Sequence, residues 1–176
     1  MTDAAAVLPP FEMPALPEGP LPCPPRKVPA DWIDYNGHMN VGYYTLAFDK
    51  SSDHIYDNIL WLGAEYVKTL NMGPMVVIQT LHYINELLEG EEFQVFCQLL
   101  DHDAKKMHWF MEMRKTADGA LCATSELISV NVDLAARKTA PYPAWAMERI
   151  EAVAAAHVGL PRPPQAGAQV GIRRKG

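Results

Sequence analysis

Positive charge is in short supply in this sequence. Lys and Arg number 15 against 21 Asp and Glu, a formal net charge of −6. Nucleic acid and anionic membrane surfaces both need clustered cations, so neither is an expected partner. The run Arg173, Arg174, Lys175 is too short to alter that and reads as a solvated tail. Cysteine is scarce as well. Cys23, Cys97 and Cys122 make no CxxC pair, and three such residues suit a reducing cytosol better than a disulfide framework. The six histidines lack metal-ligand spacing such as H-E-x-x-H, so no metal is expected. No apolar run approaches the roughly 20 residues a membrane span needs. The N-terminus has no basic segment followed by an apolar one, so a secretory signal is not expected. The expected compartment is the cytoplasm.

What is present is a chain of 176 residues, 49% hydrophobic, enough for one substantial core. Eight of the 15 prolines fall in residues 1–25. Proline removes a backbone donor, so this arm is expected to be an extended, loosely ordered tail, with wrapping of a partner as the alternative. Pro161, Pro163 and Pro164 open a second irregular segment, 161–176. The domain proper spans about 26–160.

Within it, Tyr44, Phe48, Ile55 and Ile59, with small Ala47 and Ser51, share one helical face over 41–60. Ser52, Asp53, Asp57 and Asn58 line the other side. Asn40 stands at the N-cap position, and Lys27 to Ile33 reads as a short strand. Met75 to Leu87 is rich in β-formers. Phe93, Val95, Cys97 and Leu99 fall two apart, as do Met107, Trp109, Met111 and Met113. Glu89-Gly90-Glu91, Asp101 to Ala104 and Ala117-Asp118-Gly119 are breaks or turns. A further strand is expected from Ala120 to Val132, then a closing helix from Pro143 to His157 with Trp145, Ile150 and Val153 as its apolar side. One helix followed by four long strands argues α+β with an antiparallel sheet. Apolar residues on both strand faces leave an outer face to be covered, a second subunit being one way to do it.

The densest polar chemistry lies in Asp34-Tyr35-Asn36-Gly37-His38-Met39-Asn40. Asn36-Gly37 is a turn signal between strand and helix. A carboxylate at the strand end faces helix N–H groups that can hold an oxyanion. The same residue types serve more often as cap and turn, so the spacing alone leaves both readings open.

The element Asp34-x-x-Gly37-His38-x-Asn40-x-x-x-Tyr44, followed by a long apolar helix and long antiparallel strands, resembles the hotdog-fold acyl-CoA thioesterases of the 4-hydroxybenzoyl-CoA thioesterase-like branch. The likeness covers about 26–145. It implies an antiparallel sheet of five or six strands wrapped around the helix at 41–60. It also implies a homodimer or dimer of dimers with active sites at the interface, acyl-CoA as substrate, and no cofactor beyond the coenzyme A carried by that substrate. Asp34 would be nucleophile or general base, with the backbone N–H of Val41, or less favourably Gly42, polarising the thioester carbonyl. His38 and Asn40 would position substrate or water. The second Asn common in that element is Val41 here.

Trp32 to Asn40, with Phe48-Asp49, is similar to the betainyl-CoA thioesterases of bacterial carnitine breakdown. A trimethylammonium acyl group would want an aromatic or anionic pocket. Trp32, Tyr35, Tyr43, Tyr44, Trp61, Tyr83 and Trp109 offer rings, unless they are core; Trp32 and Tyr43 are the rings expected to bind substrate. Glu65 and Glu86 could supply a second carboxylate or be solvated charges. His82 and His108 could reach a site or be satisfied strand residues. Lys105, Lys106, Arg114, Lys115, Arg137 and Lys138 could meet CoA phosphates or form a mixed surface. Two alternatives remain. One is a hydratase-type hotdog, whose D-x-N-P-x-H pattern is one residue longer and has the missing Pro. The other is a non-catalytic acyl-CoA-binding hotdog.

Overall fold

A computed structural model of the chain describes residues 9–172. The start of the proline-rich arm and the basic run Arg173, Arg174, Lys175 lie outside the described residues.

Two-residue strands β1 (Leu21–Pro22) and β2 (Arg26–Lys27) lead the chain. Helix α1 (Val41–Ile55) continues into a π-helical turn, Tyr56–Leu60, and a short α2 (Ala64–Leu70) follows. Then come β3 (Met72–Tyr83), β4 (Glu92–His102), β5 (Lys106–Lys115) and β6 (Leu121–Asp133). Strand β7 (Lys138–Thr139) and α3 (Ala144–His157) close the chain's regular structure. The strands form one antiparallel sheet of seven, ordered β1-β4-β5-β6-β3, with β2 beside β4 and β7 beside β6. This is the hotdog arrangement. It has seven strands rather than five or six because three two-residue pieces extend it.

Alternation decides the core. Phe93, Val95, Cys97 and Leu99 of β4 and Met107, Trp109, Met111 and Met113 of β5 are all buried. They meet Tyr44, Ala47, Phe48, Ser51 and Ile55 on one face of α1. Hydrogen bonds tie helix to sheet: Tyr56 Oη donates to Ser129 Oγ at 3.1 Å, and Ser52 Oγ to Met111 Sδ at 3.6 Å. The helical period persists to Leu60, but the turn widens at Tyr56 and ends on Trp61, which is left-handed at φ 55°. Asp57 Oδ1 then accepts from Ala64 N–H at 2.9 Å and starts α2, a helix not expected from the sequence.

Three expectations need correction. Lys27–Ile33 is not a strand: pairing ends at Lys27, Pro29 has no N–H to offer, and Ala30–Trp32 is a 3-10 turn. The strand expected at Met75–Leu87 begins and ends earlier, at Met72 and Tyr83. The arm, over its described part, is not a loose tail. Phe11, Met13 and Leu16 pack on the core, and Leu21 and Cys23 are buried. Buried Arg149 of α3 donates to the carbonyls of Ile59 (2.8 Å) and Phe11, with its guanidinium 4.8 Å from the Phe11 ring centre.

The outer sheet face is covered in part by the chain itself. Gln98 Nε2 donates to Pro161 O at 3.4 Å, and Gly167 N–H to Glu126 Oε2 at 2.7 Å. Phe110, on that face, is buried. What stays open is the β3 edge, where Met75, Val76, Val77 and Ile78 are exposed around a register shift.

Replacing Arg149 by Met removes the donors from two carbonyls and the cation from the Phe11 ring. The expected loss is about 2–3 kcal/mol, read by urea denaturation, with faster proteolytic cutting of the arm under native conditions.

Candidate active site

The loop before α1 is a closed hydrogen-bonded unit. Asp34 N–H donates to His38 O at 3.1 Å and Gly37 N–H to Asp34 O at 3.0 Å. Gly37 sits at φ +82°, which side chains resist, so the turn asks for glycine there. Asn40 N–H donates to Trp32 O at 2.9 Å, and Met39 N–H to Leu87 O at 2.8 Å. The second bond anchors the loop to the segment after β3.

Asp34 is half-buried in this unit. Its Oδ1 accepts from Asn36 N–H at 2.8 Å, and its Oδ2 from Asn40 Nδ2 at 3.3 Å. Asn40 faces both ways, since its Oδ1 accepts from Gly42 N–H at 3.0 Å and caps α1. One side chain therefore couples the carboxylate to the helix start. The cap also separates the two candidate oxyanion donors. Gly42 N–H is taken by Asn40, whereas Val41 N–H makes no hydrogen bond among the described residues. His38 is half-buried, with Nδ1 3.2 Å from Met39 O; if Nδ1 carries the proton it donates there and leaves Nε2 as acceptor.

A cleft of about 210 Å³ opens beside Val41 and His38, lined further by Tyr44, Tyr83, Asn85 and Glu86 among others. The rings of Tyr44 and Tyr83 meet edge to face, centroids 5.3 Å apart. Burial pushes the Tyr44 hydroxyl up to about 12. The backbone at Leu87 opposes that rise, and Cys122, Glu86 and Tyr83 add to it.

The profile of the thioesterase-like superfamily matches residues 28–150. The chain belongs to the thioesterase-like superfamily. A betainyl-CoA thioesterase from Pseudomonas aeruginosa is 30% identical over 166 residues, covering 94% of this chain and 96% of that protein. The L-carnitine dehydrogenase/betainyl-CoA thioesterase of Rhizobium meliloti is 32% identical over 157 residues; the match takes in 89% of this chain but only 31% of that longer protein. Among solved structures, a Staphylococcus aureus protein in complex with CoA superimposes with TM-score 0.79 at 23% identity, covering 85% of this chain and 93% of that one. A 1,4-dihydroxy-2-naphthoyl-CoA thioesterase from Synechocystis gives TM-score 0.64 at 15% identity, over 81% and 99% of the two chains. These two likenesses speak to fold.

Within this thioesterase-like domain the seven candidate rings part company. Tyr44 and Tyr83 line the cleft. Trp32 and Tyr43 stack on each other at 5.1 Å and 7°, outside the cleft lining. Tyr35 is 96% exposed. Trp61 and Trp109 are buried in the core, Trp61 5.4 Å from Trp145. His108 pairs with Glu126 at 2.7 Å. His82 lines a separate hollow under the C-terminal segment. Glu65 pairs with Lys68 on α2. Arg114 and Lys115 are engaged by Glu112 and Glu91, whereas Lys105, Lys106, Arg137 and Lys138 are exposed and unpaired among the described residues. Asn85, absent from the candidates read from the sequence, lines the cleft. Its signal was faint: one polar residue just past a strand end.

Asn40→Ala should cost about 1 kcal/mol by loss of the cap, measured by denaturation. Asn40→Ser, which retains an oxygen at the cap, should recover most of that loss while no longer reaching Asp34.

Proposed function

We propose that the chain is an acyl-CoA thioesterase acting on betainyl-CoA, with Asp34 as nucleophile or general base and Val41 N–H as oxyanion donor. The observation that carries this is the pair itself. A held carboxylate and an unoccupied helix-start N–H are linked through one asparagine; Val41 lines the cleft, while Asp34 and Asn40 stand outside its lining. Betainyl-CoA enters because relatives bearing that activity in their names reach 30–32% identity.

The chemistry follows from the placement. Asp34 supplies an electron pair to the thioester carbonyl carbon, either directly or by taking a proton from water that then adds as hydroxide. The carbonyl oxygen becomes negative against Val41 N–H and the positive end of the α1 dipole, which favour that charge. Collapse breaks the C–S bond, and the coenzyme leaves as a thiolate that takes up a proton. In the direct route, water then cleaves the acyl-Asp34 anhydride. His38, from the cleft wall, orients substrate or water.

The working unit is a homodimer in this reading. The exposed apolar β3 edge offers unpaired backbone groups that a second β3 can meet antiparallel. Such pairing sets the Tyr83 end of one sheet beside the Met72 end of the other. The exposed Lys105, Lys106, Arg137 and Lys138 belong to that second end, since Asn131 N–H bonds Lys105 O and β7 pairs with Val132–Asp133. The partner's cations would then stand near the cleft, where CoA phosphates need them. The three free cysteines are buried, which suits the cytoplasmic expectation. No described helix is long and apolar enough to cross a membrane.

Asp34→Asn should lower kcat about 10²- to 10⁴-fold with CoA binding retained, as followed by thiol release and calorimetry. Val41→Pro deletes the N–H at the first helical position, where proline fits, and Asn40 already has the extended ψ of 144° that a following proline asks for. Its kcat should fall about 10²- to 10³-fold with an unchanged far-UV spectrum. Parent-level rates in both variants would return Asp34 and Val41 to a purely structural role. Val77→Lys, placed on the exposed edge, should halve the mass seen by light scattering and take turnover with it.

A further inference from the structure

We propose that Glu86 reads the positive charge of the acyl group, with the rings of Tyr83 and Tyr44 forming the wall against which that charge rests. This rests on the thioesterase reading above and assigns the head-group end of the same site.

A quaternary ammonium has no N–H to donate. It can be recognised only by shape, by a countercharge and by the negative faces of aromatic rings. In a betainyl thioester one methylene separates the nitrogen from the carbonyl carbon, so the head-group site must share a cleft with the oxyanion donor. The cleft beside Val41 meets that demand. At about 210 Å³ it has room for a betainyl group, which has seven non-hydrogen atoms. Its lining holds one carboxylate, Glu86, and no lysine or arginine. The edge-to-face set of Tyr44 and Tyr83, 79° between planes, makes an aromatic corner.

Glu86 also differs from the paired glutamates of the sheet and its turns. Glu91, Glu112 and Glu126 are spoken for by Lys115, Arg114 and His108. The Glu86 carboxylate makes no hydrogen bond or ion pair among the described residues, and it is exposed at the cleft rim. An unpaired anion with ring walls and no lysine or arginine in the lining favours a cationic guest and disfavours an acyl-carboxylate.

The test compares betainyl-CoA with 3,3-dimethylbutanoyl-CoA, in which carbon replaces the nitrogen and only the charge is lost. The readout is the ratio of the two kcat/KM values in the parent, Glu86→Gln and Tyr83→Leu. The parent should prefer betainyl-CoA. Glu86→Gln should lower the ratio about tenfold, and Tyr83→Leu about three- to tenfold. In the parent, added salt should lower the ratio as it screens Glu86. A ratio unchanged in Glu86→Gln overturns the assignment and leaves the thioesterase reading standing. So does a parent that hydrolyses the neutral thioester and not the charged one. A folded parent that hydrolyses neither overturns the thioesterase reading and this assignment together.

Discussion

The Asn40 side chain is the contact on which the site depends. Its oxygen takes the Gly42 N–H and its nitrogen gives to Asp34. A helix start leaves several N–H groups without partners, and a cap normally removes one of them for stability. Here the choice of which N–H is removed also decides which stays open. Capping at Gly42 leaves the Val41 N–H open at a helix end tied to the carboxylate through Asn40. Stability and chemistry are served by one residue without competing for the same donor.

The sheet makes this possible by giving the loop a fixed floor. Met39 N–H reaches Leu87 O, just past β3, and the Ile33–Met39 bridge closes the loop on itself. The segment that carries Tyr83 and Glu86 is thereby held against the segment that carries His38 and Val41. The other end of α1 is secured differently, by the π-helical turn and the reach of Asp57 to α2. The helix is thus fixed at both ends by polar contacts and along its length by apolar ones. That is the rigidity a positioned carboxylate requires.

Much of this was legible in the sequence because it is local. Period-two strands and the period of α1 follow from side-chain geometry over a few residues, and Asp34, Gly37 and Asn40 sit within seven positions. What was not legible depends on distance along the chain. The arm reads as a tail because its proline content hides that Phe11 is held by Arg149, 138 residues away. The π-helical turn keeps the apolar spacing of an α-helix, so Tyr56 to Leu60 give no warning. The ring inventory could not be sorted from sequence either. A tyrosine on a wall and a tryptophan in the core are alike until β3 and α1 are placed side by side.

The two margins of the sheet are not equivalent. On the far side of β4 the short β1 and β2 occupy the hydrogen-bonding groups of its first half, at Leu21 to Cys97 and Arg26 to Phe93, and His157 of α3 accepts from Leu99 N–H in its second half. Beyond β3 no strand follows among the described residues. A sheet with a single bare margin can gain one neighbour there and then has none left to offer. Growth by edge addition is therefore self-limiting: it terminates after one step, and the short strands of the N-terminal arm act as a stopper against fibre-like extension.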